Sequence, residues 1–378
     1  DARRLRERVR ALVGESREEG EALLELLAPG TAAVRFQSRS ERHFAVEQLL
    51  VRATQERPVV IWLDDVQWGS DALQFVLRLL RRDFARPVLV LMTATDEGLA
   101  ARTAEHVLWE EICGHPGCRP LLIEALGKES RMKLVDAVVG LEHGLAERVQ
   151  EATGGNPQFL VRLLEDWVDN GLLLPGPRGF RVEPGVAIPP DLETLLEGRV
   201  ERILDRFGPD EARALEVAAV LGREVVGAEW EAACALLGVQ PSSRLVQDLL
   251  DGGLVSRGEG GYGWSFSHRH LPRYLAARAE EHGRLAACHR VCAEVLALRE
   301  GSPGNAARVG AHLLGAHEPA RALAPLLDAV REASNAGEYS RAEQLLGAYE
   351  RALDDAELPV HDQRRGLALY ERHQLQVP

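Results

Sequence analysis

Val59, Val60, Ile61, Trp62 and Leu63 make an unbroken β-branched and aromatic run of strand length, with Arg57-Pro58 before it and Asp64-Asp65 after it. A continuous apolar run bounded by charge predicts a strand buried on both faces of a parallel sheet. A second run, Val88-Leu89-Val90-Leu91-Met92, follows Pro87. Between the two, the stretch from Ser70 to Arg82 has the spacing of an amphipathic helix. Strand, helix, strand within about 35 residues is a βαβ unit, and its crossover is right-handed.

Most of the remaining chain is patterned as helix. Residues 1–27 alternate charge with Leu, Val and Ala, and residues 40–56 place Phe44, Val46, Leu49, Leu50 and Ala53 on one side. Beyond residue 122 the strands fade. Ser130 is placed to cap a helix through Val139, and a further helix is expected over Leu145–Ala152. Gly154-Gly155 breaks the chain before a restart near Pro157. The proline- and glycine-rich stretch from Leu173 to Pro190 reads as a linker. A helical segment over 191–252 follows. Then Gly252-Gly253-Leu254-Val255-Ser256, a glycine-rich turn at 258–261 and Tyr262-Gly263-Trp264-Ser265-Phe266 read as a β-hairpin. Helices closed by such a hairpin outline a winged helix. From about residue 271 the pattern is helical to the end. Ala336-Gly337-Glu338-Tyr339, with Ala342, Leu345, Leu346, Tyr349 and Ala352-Leu353, looks like one tetratricopeptide-like helix pair. The expected fold class is α/β followed by mainly α.

Composition excludes several functions. A formal net charge of −13 argues against a nucleic-acid binder, because phosphate attraction needs clustered Lys and Arg. Direct DNA binding is therefore not expected; Arg81-Arg82 or the Arg269–Arg278 stretch could form a local basic face, but short basic patches on helices are usually solvated surface. Five cysteines without dense, regular spacing suit a reducing compartment rather than a disulfide scaffold. Cys113-Gly-His-Pro-Gly-Cys118 has no second ligand pair at zinc-like spacing, and Cys288, His289 and Cys292 fit one turn of a packed helix. No run approaches the ~18 apolar residues of a membrane span. Residues 1–20 are too charged for a signal peptide. The expectation is a cytoplasmic protein. The chain opens on Asp1 and stops within the helical pattern of Arg364–Gln374, so it reads as an internal part of something longer.

Asp64 and Asp65 carry the strongest chemical signal. Acids at the carboxyl end of a buried strand stand where open α/β sheets bind ligands. One carboxylate there can hold a phosphate-bound Mg²⁺, and the second can orient or deprotonate water. Taken alone, the pair also suits a solvated turn or a helix cap.

Asp64-Asp65-Val66-Gln67-Trp68-Gly69-Ser70-Asp71-Ala72-Leu73 resembles the Walker B segment of the STAND branch of P-loop ATPases. Thr93-Ala94-Thr95-Asp96-Glu97 resembles the sensor segment of the same family, except that Thr95 stands where an Arg is common. Further likenesses keep the family's order: Gly154-Gly155-Asn156-Pro157-Gln158-Phe159-Leu160 with its Gly-Asn-Pro turn, Ala218-Ala219-Val220-Leu221-Gly222 with the winged-helix core, and Phe266-Ser267-His268-Arg269-His270-Leu271 with the segment after the wing. The resemblance covers roughly residues 40–290. It implies a partial P-loop ATPase sheet over 1–120, a helical lid over 121–188, a winged helix over 189–268 and a TPR-like tail over 269–378. It implies ATP or ADP with Mg²⁺ as ligands. Asp64 would then hold the metal, Asp65 would position water, Asn156 and Pro157 would lie near the base, and His268 near the phosphates. A structural role for His268, capping the next helix or packing under the wing, stays open beside that. The tail would meet a protein partner, and self-association fits the class. The parent would be a bacterial signalling regulator joined to a kinase or DNA-binding output domain.

The phosphate loop Gly-x-x-x-x-Gly-Lys-Ser/Thr is absent from the chain. Gly127-Lys128 is the one Gly-Lys pair, but Leu122 occupies the first glycine position and Glu129 that of the hydroxyl residue. No Gly-x-Ser-x-Gly elbow, His-Glu-x-x-His or dinucleotide glycine motif competes. Two readings follow: a nucleotide-dependent switch, or a non-catalytic scaffold that recognises protein. A DNA-reading winged helix is a weaker third.

Overall fold

The structure, a computed structural model, describes residues 2–13, 16–27, 36, 38–82, 84–177, 179–183, 185–258, 263–299, 304–335 and 338–376. The chain divides into two compact units, 1–123 with 331–342, and 124–330 with 343–378.

The first unit begins with helices α1 (Ala2–Val13), α2 (Arg17–Leu27) and α3 (Arg39–Glu56). The Ser38 side chain caps α3 by accepting from the Glu41 N–H. Strand β1 (Val59–Leu63) leads through a 3₁₀ turn (Val66–Trp68) into α4 (Ser70–Arg81), then β2 (Val88–Met92), α5 (Asp96–Ala100) and α6 (Thr103–Cys113). β1 and β2 pair in parallel from Val59↔Val88 to Leu63↔Met92. The βαβ unit is therefore present as read from the sequence.

Its burial differs from expectation. One face packs Leu63, Val90 and Met92 against Leu73, Val76 and Leu77 of α4 and Ile112 of α6. On the other face Val60, Trp62, Leu89 and Leu91 are 62%, 72%, 54% and 50% exposed. Among the described residues the strands are thus covered on one side only. The apolar run came from residues on both faces, whereas the described helices pack on just one of them. Among charged groups, Glu47 of α3 is buried beneath Arg78 of α4, with Nε 2.5 Å away, and Arg82 at 3.4 Å.

The second unit holds α7 (Lys128–Val138), α8 (His143–Ala152), α9 (Pro157–Asp169), β3 (Leu173–Gly176) and β4 (Gly179–Val182). The linker expected over 173–190 is instead, in its first half, an antiparallel hairpin with Leu173↔Val182 in register. Its glycine serves close approach rather than flexibility. Gly179 has φ 132°, and a Cβ there would lie 2.6 Å from the Gly140 carbonyl, against which the neighbouring Phe180 N–H bonds at 2.7 Å.

Helices α10 (Leu192–Leu204), α11 (Pro209–Leu221), α12 (Gly227–Leu236) and α13 (Ser243–Asp251) then surround strands β5 (Glu224–Val226), β6 (Val255–Arg257) and β7 (Gly263–Phe266). The antiparallel sheet runs β5-β7-β6, so the hairpin read at 252–266 forms. Of its expected turn at 258–261, residues 259–261 lie outside the described residues, as does Tyr262. Trp264 of β7 meets Trp230 of α12 edge-on at 5.7 Å.

The tail comprises α14 (His270–Glu281), α15 (Leu285–Ala297), α16 (Asn305–Gly315), α17 (Pro319–Asn335), α18 (Tyr339–Asp355) and α19 (Gln363–Gln376). The Ala336-Gly337 turn of the expected helix pair also lies outside the described residues. Ala342, Leu346, Tyr349, Ala352 and Leu353 are buried along α18, the face that the spacing predicts.

α15 serves two cores. Cys288, Val291 and Cys292 belong to the core that includes Leu215, Leu249 and Phe266, while Ala293 and Leu296 belong to the one that includes Leu313, Leu326 and Tyr349. The cysteines are free, and burial pushes the Cys288 thiol up to about 11. This bears out the packing role given to Cys288 and Cys292.

Candidate functional site at the carboxyl edge of the parallel strands

Register builds the site. Leu63 pairs with Met92, so the next residues, Asp64 and Thr93, emerge side by side at the carboxyl edge of the two strands. The Thr93 hydroxyl donates to Asp64 Oδ1 at 2.5 Å and accepts the Asp65 N–H at 2.9 Å. Backbone bonds Thr93 N→Leu63 O and Val66 N→Thr93 O, at 3.0 and 2.9 Å, extend the ladder past both acids. Asp65 turns the chain with φ 52° and ψ 47°, in the left-handed region that Asp tolerates better than most residues. Its Oδ1 accepts from the Gln67 side-chain amide at 3.0 Å. Both carboxylates are exposed, and no basic side chain pairs with either among the described residues.

The rest of the segment is locked around them. Trp68 is held by the Arg102 guanidinium, 3.9 Å from the ring centroid. Asp71, in the first turn of α4, takes Arg39 at 3.0 Å, His43 at 3.2 Å and Arg42 at 3.5 Å. Partial burial pushes the Asp71 carboxyl up. The His43 hydrogen bond and the charges of Arg42, His43 and Arg39 outweigh this and hold it below the usual carboxylate range. Asp71 is therefore a fastener between α3 and α4, whereas Asp64 and Asp65 are not. Thr95 caps α5 by accepting the Gly98 N–H at 3.2 Å, which gives this hydroxyl a structural task where an Arg is common in the family resembled.

Asn156, Pro157 and His268 belong to the second unit, and Asp64 and Asp65 to the first. Gly154 and Gly155 have φ of 58° and 83°, the Asn156 carboxamide accepts the Phe159 N–H at 3.1 Å, and Pro157 occupies the first turn of α9. A Cβ on Gly155 would lie 2.8 Å from the Leu126 carbonyl. The turn is thus a tightly fixed helix entry. His268 is half-buried, and its Nδ1 accepts the His270 N–H at 3.3 Å. Burial leads the causes that lower its pKa, and this fits a ring whose Nδ1 must stay unprotonated to accept. His270 points instead to α10, with Nε2 2.6 Å from Glu197 and Nδ1 3.4 Å from Glu193.

Thr93 and Gln67 are the site residues that the sequence reading did not single out. For Thr93 the signal was available: a hydroxyl one position past the partner strand falls opposite the first acid. Gln67 has no such signal, because its burial depends on α5.

The donor set suits a hard cation. Asp64, Asp65 and the Thr93 hydroxyl offer only oxygen, and no cluster of three or more His, Cys, Asp or Glu among the described residues could hold an ion alone. Mg²⁺ is characteristically held in this way, by one or two carboxylates with water and substrate phosphates supplying the remainder.

No family model and no curated protein matches the chain. Among solved structures it is similar to a signal transduction ATPase with numerous domains (STAND) protein with a tetratricopeptide repeat sensor from Pyrococcus horikoshii, at 13% identity and a TM-score of 0.52. The likeness covers 90% of this chain and 46% of that one, so the chain spans less than half the length of its structural neighbour. At this identity the shared property is the fold: a small α/β unit followed by helices. No helix among the described residues is long and apolar enough to cross a membrane.

Proposed function

We propose that the chain is the central part of a nucleotide-dependent signalling switch that works with ATP or ADP and Mg²⁺. The observation that carries this reading is the unneutralised pair Asp64-Asp65 at the carboxyl edge of parallel strands, oriented by Thr93 and Gln67 and free of any basic partner among the described residues. A ligand that brings Mg²⁺ and phosphates supplies the missing positive charge. In this reading Asp64 holds the ion, directly or through water, and Thr93 fixes which of its oxygens remains available. Asp65 orients water at the terminal phosphate. On the second unit, Asn156 and Pro157 are the proposed contacts to the base and His268 to the phosphates. The α10–α13 helices with their three-stranded sheet act as a winged helix. The TPR-like tail receives a protein partner. The fold of the STAND neighbour supports the arrangement at the level of architecture.

The test is calorimetry of Mg²⁺-ATP with the full-length protein, wild type and Asp64→Ala. The expected result is micromolar binding that loses its Mg²⁺ dependence in the variant. Absence of binding to the wild type would overturn the switch.

That outcome would leave the second reading, a non-catalytic scaffold. Its supporting observations are the absence of a phosphate-loop sequence from the chain and the use of Thr95 as a helix cap.

A further inference from the structure

Gln67 lies directly behind the acid pair. It is fully buried, its amide donates to Asp65 at 3.0 Å, and its Oε1 is buried without a hydrogen-bond partner among the described residues. An orphaned buried acceptor is destabilising. A methionine would fill the same space without that cost. The carboxamide is therefore not explained by packing, and the bond it makes to Asp65 is what distinguishes it from an apolar residue of equal length. The amide orientation follows from chemistry, since the carbonyl turned toward a carboxylate would be repelled.

Gly98 bounds the other side. A Cβ on Gly98 would stand 2.7 Å from Gln67 Cγ and 3.2 Å from its Cδ. Distances under 3 Å cannot be relieved by small adjustments, and Gln67 has no solvent to move into. The Gln67 side chain thus lies across the backbone of α5, the short helix that directly follows β2. It occupies a slot that exists because residue 98 lacks a side chain.

We propose that Gln67 is the positioning residue for Asp65, and that Gly98 lets α5 govern it, so that a shift of α5 against the 3₁₀ turn is passed to the Asp65 carboxylate. The purpose of this relay rests on the switch reading, while its geometry does not. Asp65 already sits in the left-handed region, with a backbone bond to Thr93 on one side. The Thr93 bond fixes the Asp65 backbone, and the Gln67 bond is the one that restrains the carboxylate itself. Without it the exposed side chain rotates freely.

Nuclear magnetic resonance on the whole chain, with glutamine side-chain amides labelled with ¹⁵N and aspartate carboxylates with ¹³C, tests the relay without nucleotide. The Gln67 amide protons are expected to exchange roughly tenfold or more slowly than those of exposed glutamines, as a buried bond to a charged group requires. Gln67→Met and Gly98→Ala are each expected to shift the Asp65 carboxylate resonance to the same position, with no further change in the double variant. Asp65→Asn identifies the resonance. Free exchange at Gln67, or an Asp65 resonance unmoved by Gln67→Met, would overturn the proposal. Gln67→Met decides alone if Gly98→Ala does not fold. A chain that shows the relay but whose full-length parent does not bind Mg²⁺-ATP would retain the coupling and lose the switch. The converse would retain the switch and lose the coupling.

Discussion

The two units hold their acids in opposite ways. In the second unit three buried acids are each matched by two arginines: Asp166 by Arg199 and Arg202, Glu216 by Arg278 and Arg284, Glu229 by Arg299 and Arg308. In the first, Asp64 and Asp65 have a hydroxyl and an amide but no cation among the described residues. A buried carboxylate must be neutralised within the fold or not ionise at all. A carboxylate at an open strand end is stable in water and keeps its charge for a ligand. Arginine pairing therefore separates acids that build the fold from acids available for chemistry. Asp71 and Glu47 fall in the structural class although both lie in the first unit.

Breaking this comparison at its strongest point means removing a structural acid. Glu216 is completely buried, and Arg278 and Arg284 bond it at 2.6 Å. Glu216→Gln is expected to cost ~3–5 kcal/mol, because two part-buried guanidinium groups lose their counter-charge. Chemical denaturation of the second unit measures it. A loss below about 1 kcal/mol would show that arginine pairing is not what holds these helices.

The two faces of the parallel strands give the next contrast. Leu73 of α4 is fully buried beneath them, and Leu73→Ala is expected to cost about 3 kcal/mol through lost burial and a cavity. Trp62, 72% exposed on the bare face, is expected to cost under about 0.5 kcal/mol on change to Ala in this chain. If Trp62→Ala proved equally costly in the full-length protein, something there covers that face.

Acid conditions should strike the second unit through a histidine. His289 and His312 face each other with Nδ1 atoms 3.0 Å apart. Burial, with His289 and Arg308 nearby, pushes His312 down to about 4, and burial with His317 nearby lowers His289. A ring that ionises less readily folded than unfolded contributes stability at neutral pH. That contribution is lost as pH falls from about 6.5, the unfolded value, toward the folded value. The loss attributable to His312 is on the order of 2 kcal/mol. Urea unfolding at pH 7.5 and 4.5 should show a smaller drop for His312→Leu than for the wild type. An unchanged drop would place the acid sensitivity elsewhere.

Much of this was legible in the sequence, for reasons that differ by residue. The βαβ unit was readable because β-branched runs and an amphipathic stretch carry their own periods, and Asp64-Asp65 because its position follows from strand polarity. The Gly-Gly-Asn-Pro turn was readable because each residue has one backbone preference. The bare strand face was not, since an apolar run cannot tell which of its sides is covered. The 173–182 hairpin reads as linker in the sequence because glycine required for backbone contact at Gly179 looks the same as glycine required for flexibility. Gln67 was not legible, because its role depends on an absent Cβ thirty-one residues further along.

Asp65 gives the smallest effect and the finest division between the two kinds of acid. At φ 52° a β-carbon is mildly strained, and Asn occupies this region at least as readily as Asp. A structural acid would be missed on replacement. If Asp65 is held for chemistry, Asp65→Asn should leave stability unchanged or raise it by a few tenths of a kcal/mol, about the scale of a relieved local conformation. The Gln67 amide still finds an oxygen in the Asn side chain, so that bond does not mask the result. Denaturation midpoints of the two proteins, compared at equal slope, measure the difference. A loss of 1 kcal/mol or more would move Asp65 to the structural class and leave Asp64 as the one acid of the pair free to meet a ligand.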